Sequence, residues 1–318
     1  MEKDLIVRKK NFDVLLKNID CIKINDLMLE VKVPKNLIDN IINATRNYLS
    51  KCIQIKNNTF LKENQIIKCF KKNNLNIKNI TPNGMIVPKN EFTLEFNSIV
   101  KAYVDILKYC NITKFVESFH FPPNLRIKYS KIEKNHMRRK HPTELMHADT
   151  WTGANNNWIA SHIFLLGDIK NNNIEYAEPP YNFKEEWLQP LELSKQGIKI
   201  ASNFKKIKYT PKKGSFVLAD ASILHRSFRK NNSGTRISFD TGFDLKCRFK
   251  IRNLQSKIIG NIKVKKIRRK ESVSNDQFLN VGKKSYFYFP DPVGVKVSSK
   301  GGFKHPSNVK LINFKINN

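Results

Sequence analysis

The 318-residue chain has no run of about 18 apolar residues, so nothing in it reads as a membrane-spanning helix. Its first residues, Met1–Lys10, mix charges with single apolar residues and lack the apolar core of a secretory leader. Together these absences lead to the expectation of a cytoplasmic protein. Cysteine is sparse: Cys21, Cys52, Cys69, Cys110 and Cys247 lie far apart with no paired spacing. That pattern excludes a disulfide framework and a zinc ribbon. Acidic residues are scarce too, 27 Asp and Glu against 58 Lys and Arg, for a net charge of +31. Abundant Asn, Ile and Lys fit an AT-rich coding bias, but such a bias also raises Glu, so it leaves part of the excess unexplained. A field of this sign favours anionic partners such as nucleic acid, an anionic glycan, a phosphorylated substrate or an acidic membrane surface. Charge alone does not choose among them, and a solvated surface accounts for it equally well. What the chain does not lack is apolar material: 40% hydrophobic residues, ordinary for a folded domain and too many for a disordered one.

The apolar spacing changes along the chain. In the first third it is helical: Pro34-Lys35-Asn36 opens a segment with Leu37, Ile38, Ile41, Ile42 and Leu49, and similar stretches follow at Leu61–Phe70 and Phe92–Tyr109. After Phe121-Pro122-Pro123 it becomes strand-like. Leu125, Ile127 and Tyr129 alternate with Arg126, Lys128 and Ser130, as in a half-buried strand. Trp158–Leu166, Ile174–Ala177 after an Asn171-Asn172-Asn173 turn, Ile198–Tyr209, Gly214–Ala219 and Thr235–Phe243 are further strands. Strands without intervening helices predict an antiparallel sandwich or barrel. Beyond Ile251 the chain carries 15 Lys and Arg against 3 Asp and Glu, densest at Lys263–Lys270, with Tyr286, Phe287, Tyr288 and Phe289 behind. Basic residues near aromatics suit a nucleic-acid or glycan surface. A contiguous aromatic block better suits an accessory strand pair packed on the core, so nucleic acid is possible but not favoured. The division expected is 1–118, a mainly helical scaffold; 119–250, the β core; and 251–318, a basic extension, the three integrated as one structural unit.

Three short segments carry chemistry. In Leu145-Met146-His147-Ala148-Asp149-Thr150-Trp151, a strand points residues i and i+2 to one face, so His147 and Asp149 aim at one point. An imidazole nitrogen and a carboxylate oxygen suit Fe(II). Alone the pair is a common coincidence. The second segment, Gly214 to Ser227, is a glycine turn, a buried strand, a short polar break and then His225, 78 residues after His147. That interval spans several strands and a return to the same end of a barrel. His225 would complete a 2-His-1-carboxylate triad with positions left open. The third is Gly234-Thr235-Arg236-Ile237-Ser238, where Arg236 follows His225 by 11 residues and shares a strand face with Ser238. A guanidinium fork captures a carboxylate in bidentate fashion, and the serine adds a donor.

The sequence His147-x-Asp149, then His225, then Arg236-x-Ser238, over roughly residues 120–245, resembles the iron and cosubstrate motif of Fe(II)/2-oxoglutarate-dependent dioxygenases, nearest to their phytanoyl-CoA-dioxygenase-like branch. The resemblance implies a mainly β fold with flanking α, a double-stranded β-helix (jelly roll) core behind an N-terminal helical scaffold. It implies that His147, Asp149 and His225 bind Fe(II) and that Arg236 binds 2-oxoglutarate. Ser238 sits where some members place a second donor, and Tyr129 on the preceding strand is a further contact. It also implies consumption of O2 and release of succinate and CO2. The intact Asp149 favours oxygenation over halogenation, with hydroxylation of an anionic small molecule or glycan as the default. Two alternatives stay open: a catalytically inactive jelly-roll module for a polyanion, motivated by the charge, and a cupin-type metal enzyme without cosubstrate, for which Arg236 would be dispensable. Among the other histidines, His162 in its apolar strand reads as a core residue or one behind the ligands. His136 reads as exposed loop, and His141 lies near the first motif without a role. Trp151 and Asn155–Asn157 follow that motif, on the substrate side or as a polar turn.

Overall fold

The structure, a computed structural model, describes residues 3–53, 60–71, 84–86, 92–120, 123–131, 139–154 and 156–251, with short strand pieces at 258–259, 262–263, 278–280, 284–287 and 312–315. The basic cluster 263–270 and the aromatic block 286–289 lie, apart from those pieces, outside the described residues, as does His136.

The helices are α1 (Lys3–Asn18), α2 (Lys35–Cys52), α3 (Glu63–Lys71), α4 (Thr93–Tyr109) and the single turn α5 (Ile198–Ala201). Pro34, with φ of −55° and no N–H to lose, stands at the start of α2 as the sequence predicts. Ile41, Ile42, Tyr48, Leu49 and Cys52 form the buried stripe of α2. The strands up to residue 245 are β1 (Cys21–Asn25), β2 (Met28–Val31), β3 (Met85–Ile86), β4 (Val116–His120), β5 (Asn124–Lys128), β6 (Trp158–Gly167), β7 (Asn172–Glu178), β8 (Lys205–Lys206), β9 (Phe216–Asp220), β10 (Leu224–Arg229) and β11 (Arg236–Leu245).

Every strand pairing among the described residues is antiparallel, so the chain is mostly antiparallel sheet with flanking helices. One nine-stranded sheet runs β1-β2-β9-β6-β11. The far edge of β11 is shared, β5 along Arg236–Asp240 and β4 along Phe243–Leu245. A three-stranded sheet runs β10-β7-β8. The two sheets meet where Tyr176 on β7 hydrogen-bonds His162 on β6 at 3.1 Å.

The two faces of β6 explain its uninterrupted apolar run. On one face Ser161 takes the Tyr103 hydroxyl of α4 at 2.8 Å, and Tyr103 packs on Phe239 and Phe216 at 4.7 and 6.2 Å between ring centroids. On the other face His162 and Phe164 look into the space between the sheets. Helix cover on one side and a second sheet on the other leave β6 no solvent face. Full burial of one such aromatic stabilises by about 1.5–3 kcal/mol, so this layer supplies much of the core.

Three elements depart from the sequence expectations. Cys21–Val31 is a β-hairpin inside the helical third, and β2 pairs with β9. Asn25 Oδ1 accepts the Leu27 N–H at 2.9 Å, an Asx turn that reverses the chain. The run Ile198–Tyr209 is not one strand: α5 and a turn occupy its first half, held by Asn203 Nδ2 donating to the Lys199 carbonyl at 2.9 Å, and only Lys205–Lys206 pairs as β8. Asn172 and Asn173 already belong to β7 rather than to the turn before it.

Helix α1 is fastened to the core by Arg8. This fully buried guanidinium donates from Nε and Nη2 to Glu185, the latter at 2.8 Å, and from Nη1 to Asp220 at 2.9 Å. No helix of the described residues is long and apolar enough to cross a membrane.

Candidate active site

His147 and His225 meet as an isolated antiparallel bridge. The His147 N–H donates to the His225 carbonyl at 3.0 Å, and the His225 N–H returns to the His147 carbonyl at 2.9 Å. Their rings lie 4.5 Å apart between centroids. Asp149 is not on a strand: it is the first residue of a 3-10 turn, Asp149–Thr152. The His-x-Asp pair therefore converges because the chain turns after the bridge, not because two side chains share a pleat. Trp151 is wholly buried and anchors this turn by donating Nε1 to the Trp187 carbonyl at 2.7 Å, so it does not line an open face.

The donor atoms of His147, Asp149 and His225 lie within 4.8 Å of one another, a grouping able to hold a metal ion. His147 Nδ1–H, so assigned by its carbonyl partner, donates to Leu145 at 2.8 Å, which leaves Nε2 as the ligand lone pair. Burial, reinforced by the adjacent His225, pushes the His147 imidazole down to about 3, so it is neutral as a ligand must be. Burial raises the Asp149 carboxyl, but His225 and His147 outweigh it and hold the group below the ordinary carboxylate range. Asp149 Oδ1 lies 3.6 Å from His225 Nε2, and Oδ2 accepts the Trp158 indole N–H at 2.9 Å. The side chain of Asp149 is 30% exposed against 11% for His225, so the triad opens on the Asp149 side.

Arg236 begins β11 and is completely buried. Its guanidinium lies over the Phe164 ring, 5.5 Å from the centroid, while Nε and Nη1 have no hydrogen-bond partner. A buried charged group left this way is costly and calls for an explanation. Burial pulls the guanidinium down to about 10, with Asp240 and Tyr176 acting against the fall. Ser238 is buried and, two residues along the strand, shares the face of Arg236.

The strand β5 opposite contributes charges that the sequence reading put outside. Lys128 stands across from Arg236 and Arg126 from Ser238. Lys128 is buried, donates to the Thr143 hydroxyl and lies 3.5 Å from Glu144. Arg229 Nη1 lies 3.4 Å from the same carboxylate, and Arg126 Nε donates to Asp240 at 2.6 Å. Burial first, then the repulsion of Arg126, holds the Lys128 ammonium well below its ordinary range. Tyr129 follows on the parity of Leu125 and Ile127, packs against the hydrophobic core and offers its carbonyl to Arg229 Nε at 2.7 Å. His162 sits behind the triad, its ring 5.3 Å from that of His225, and burial takes it down to about 4. His141 pairs instead with Ser194 at 2.9 Å, away from the ligand set.

No protein-family model matches the chain, and no curated protein matches it. Among solved structures, the chain resembles the non-heme alpha ketoglutarate dependent carbocyclase SnoK from nogalamycin biosynthesis at 12% identity and a TM-score of 0.38, over 74% of this chain and 83% of that one. It also resembles EctD from S. alaskensis, solved with 2-oxoglutarate and 5-hydroxyectoine, at 16% identity and a TM-score of 0.35, over 74% and 76%. An N-substituted L-amino acid dioxygenase from Burkholderia ambifaria AMMD, in complex with alpha-KG, follows at 10% identity and a TM-score of 0.31, over 73% and 85%.

Proposed function

We propose that the chain is an Fe(II)- and 2-oxoglutarate-dependent oxygenase. His147, Asp149 and His225 are its iron ligands, and Arg236 anchors the distal carboxylate of 2-oxoglutarate. The observation that carries this reading is the pairing of a compact two-imidazole, one-carboxylate donor set with a fully buried guanidinium whose Nε and Nη1 lack partners. The donor set fits a hard-to-borderline divalent metal with open positions. The side chains around Arg236 fit the cosubstrate: Lys128, Arg126, Arg139, Arg229 and Arg236 surround Glu144 and Asp240, five basic groups against two carboxylates, a basic excess that suits a dicarboxylate. A cupin-type enzyme without cosubstrate would have no use for that excess. Ser238 is a further donor on the face of Arg236, and Tyr129 bears on the pocket through the carbonyl that holds Arg229.

Bound iron with O2 supplies the oxidising power, with 2-oxoglutarate leaving as succinate and CO2. The chain's own part is to present a neutral His147 lone pair, to orient Asp149 through Trp158, and to exclude water around Arg236. The two facing sheets are read as a double-stranded β-helix with its core in residues 119–250, to which 1–118 adds the helices and also the strands β1, β2 and β3, with 251–318 as a basic extension. Hydroxylation is the reaction favoured, as the intact Asp149 suits oxygenation, and the net charge of +31 motivates an anionic small molecule or glycan as its substrate. Succinate release requiring Fe(II), 2-oxoglutarate and O2, screened over anionic metabolites and glycans, tests the reading. Protein that binds neither Fe(II) nor 2-oxoglutarate, and is unaltered by His147→Ala, would overturn it.

A further inference from the structure

Arg8 binds three segments far from it in sequence, and each of them leads to a donor of the triad. Its Nη1 donates to the Asp220 carboxylate at 2.9 Å and to the Asn156 carbonyl at 3.2 Å, while Nε and Nη2 fork onto Glu185. Asp220 ends β9 and shapes the turn into β10: the same Oδ1 accepts the Ser222 N–H at 2.8 Å and the Ser222 hydroxyl at 2.6 Å. His225 is the second residue of β10, so that turn sets where the imidazole stands. Asn156 comes two residues before Trp158, whose indole N–H holds Asp149. Glu185 opens the 3-10 turn Glu185–Leu188, where the Trp187 carbonyl takes the Trp151 indole N–H, and Trp151 belongs to the turn that Asp149 begins. His147 is set separately, by its bridge to His225 and by the Leu145 carbonyl.

Stability alone is a weak reason for this cluster. Taking a guanidinium and two carboxylates out of water offsets much of their attraction, and apolar residues of similar volume often stabilise as well or better. What apolar contact lacks is direction. A guanidinium presents its N–H groups in a rigid planar fork, so three segments bound to one Arg8 are fixed relative to one another. A lysine ammonium offers a point charge on a flexible stem and cannot reproduce the fork. We infer that Arg8 is a positioning residue for the metal centre: from α1 it fixes the segments that present Asp149 and His225. This rests on the reading of His147, Asp149 and His225 as metal ligands. It makes α1, which supplies no ligand, part of the frame of the site.

The test compares Arg8→Lys with Leu15→Ala in the full chain, Co(II) being titrated without oxygen. Leu15 is buried in the same helix about two turns from Arg8, so its truncation lowers stability through packing alone. Trp151, Trp158 and Trp187 are the chain's only tryptophans, so the emission of metal-free protein reports on the segments that Arg8 pins. Arg8→Lys is expected to raise acrylamide quenching of that emission and to shift the visible absorption of bound Co(II). It should weaken Co(II) about tenfold, in the range typical of groups that orient metal ligands. Leu15→Ala should unfold at lower urea yet keep the quenching, the Co(II) affinity and the Co(II) spectrum of the parent. Glu185→Gln, which keeps one acceptor for the fork, should weaken Co(II) about threefold, and it decides the matter if Arg8→Lys does not fold. Folded Arg8→Lys or Glu185→Gln that binds Co(II) like the parent overturns the inference and leaves the metal reading intact. So does Leu15→Ala that weakens Co(II) as far as Arg8→Lys does. A parent that binds no Co(II) overturns the metal reading and the inference with it.

Discussion

His147 and His225 hydrogen-bond to each other through the backbone in both directions, at 3.0 and 2.9 Å, and this one bridge sets the spacing of two imidazoles far apart in sequence. Because the bridge is main-chain, it survives replacement of either side chain. Changing His147, Asp149 or His225 to Ala should therefore remove metal binding while leaving the melting temperature within a few degrees. Co(II) titration is expected to show a loss of at least about 100-fold for each. Trp158→Phe, which deletes the indole N–H to Asp149 together with part of the ring area, should cost about tenfold, in the range typical of groups that orient metal ligands.

Gly242 extends this argument. A Cβ there would overlap the indole of Trp158. Gly242→Ala is expected to displace the indole from Asp149 and lower Co(II) affinity about as far as Trp158→Phe does. Unchanged affinity with a lowered melting temperature would show that Trp158 matters for packing alone.

Arg236→Met should separate stability from binding. It removes a buried charge with two unpartnered nitrogens, so the ligand-free variant should melt no lower than the parent. The parent should gain stability with 2-oxoglutarate by mass action, and the variant should gain none. Thermal melts with and without the acid give both answers.

Acid should unfasten the pocket through Glu144. Burial raises its carboxyl, but Lys128, Arg229 and Arg139 together bring it to about 2, against an ordinary value of 4.5. A carboxyl lower in the folded state than in the unfolded one stabilises above pH 4.5, and that contribution is lost as pH falls from 4.5 towards 2. A shift of that size corresponds to about 3 kcal/mol, and the side chain is only 4% exposed, so little of it is screened by solvent. Urea unfolding across this window should fall more steeply for the parent than for Glu144→Gln.

Arg8→Met leaves Glu185 and Asp220 buried without their partner. Breaking a buried ion pair from one side costs about 3–5 kcal/mol, and chemical denaturation should show a loss of that order. The double change of Glu185 to Gln and Asp220 to Asn on the Arg8→Met background should recover part of it.

The order of chemistry-bearing residues was legible in the sequence, but not always for the right reason. Pleat alternation points His147 and Asp149 to one site, whereas the structure brings them there by a bridge followed by a 3-10 turn. Arg236-x-Ser238 was legible because period-two alternation holds along a real strand. Lys128, Arg126 and Arg229 do not stand out in the sequence because alternation assigns polar residues to solvent. Here the inner wall is itself ionic, so the rule inverts on β5. The hairpin at Cys21–Val31 escaped because neighbouring helical spacing outweighed a local signal, the Asn25-Asp26 pair that makes its turn. Ile198–Tyr209 looked like a strand by composition, yet it has an edge to pair with only at Lys205–Lys206.

The Arg8 contacts join residues 177 and 212 positions apart. During synthesis at about 5–20 residues per second, Arg8 therefore waits on the order of 10–40 s for Asp220 to leave the ribosome. For that interval the α1 segment lacks the partners that bury its apolar residues, and the large sheet cannot take in β2 until β9 exists. The later-made β9 thus closes the structure around the earlier-made α1, and a chain stalled before it would leave the apolar residues of α1 open to whatever binds nascent chains.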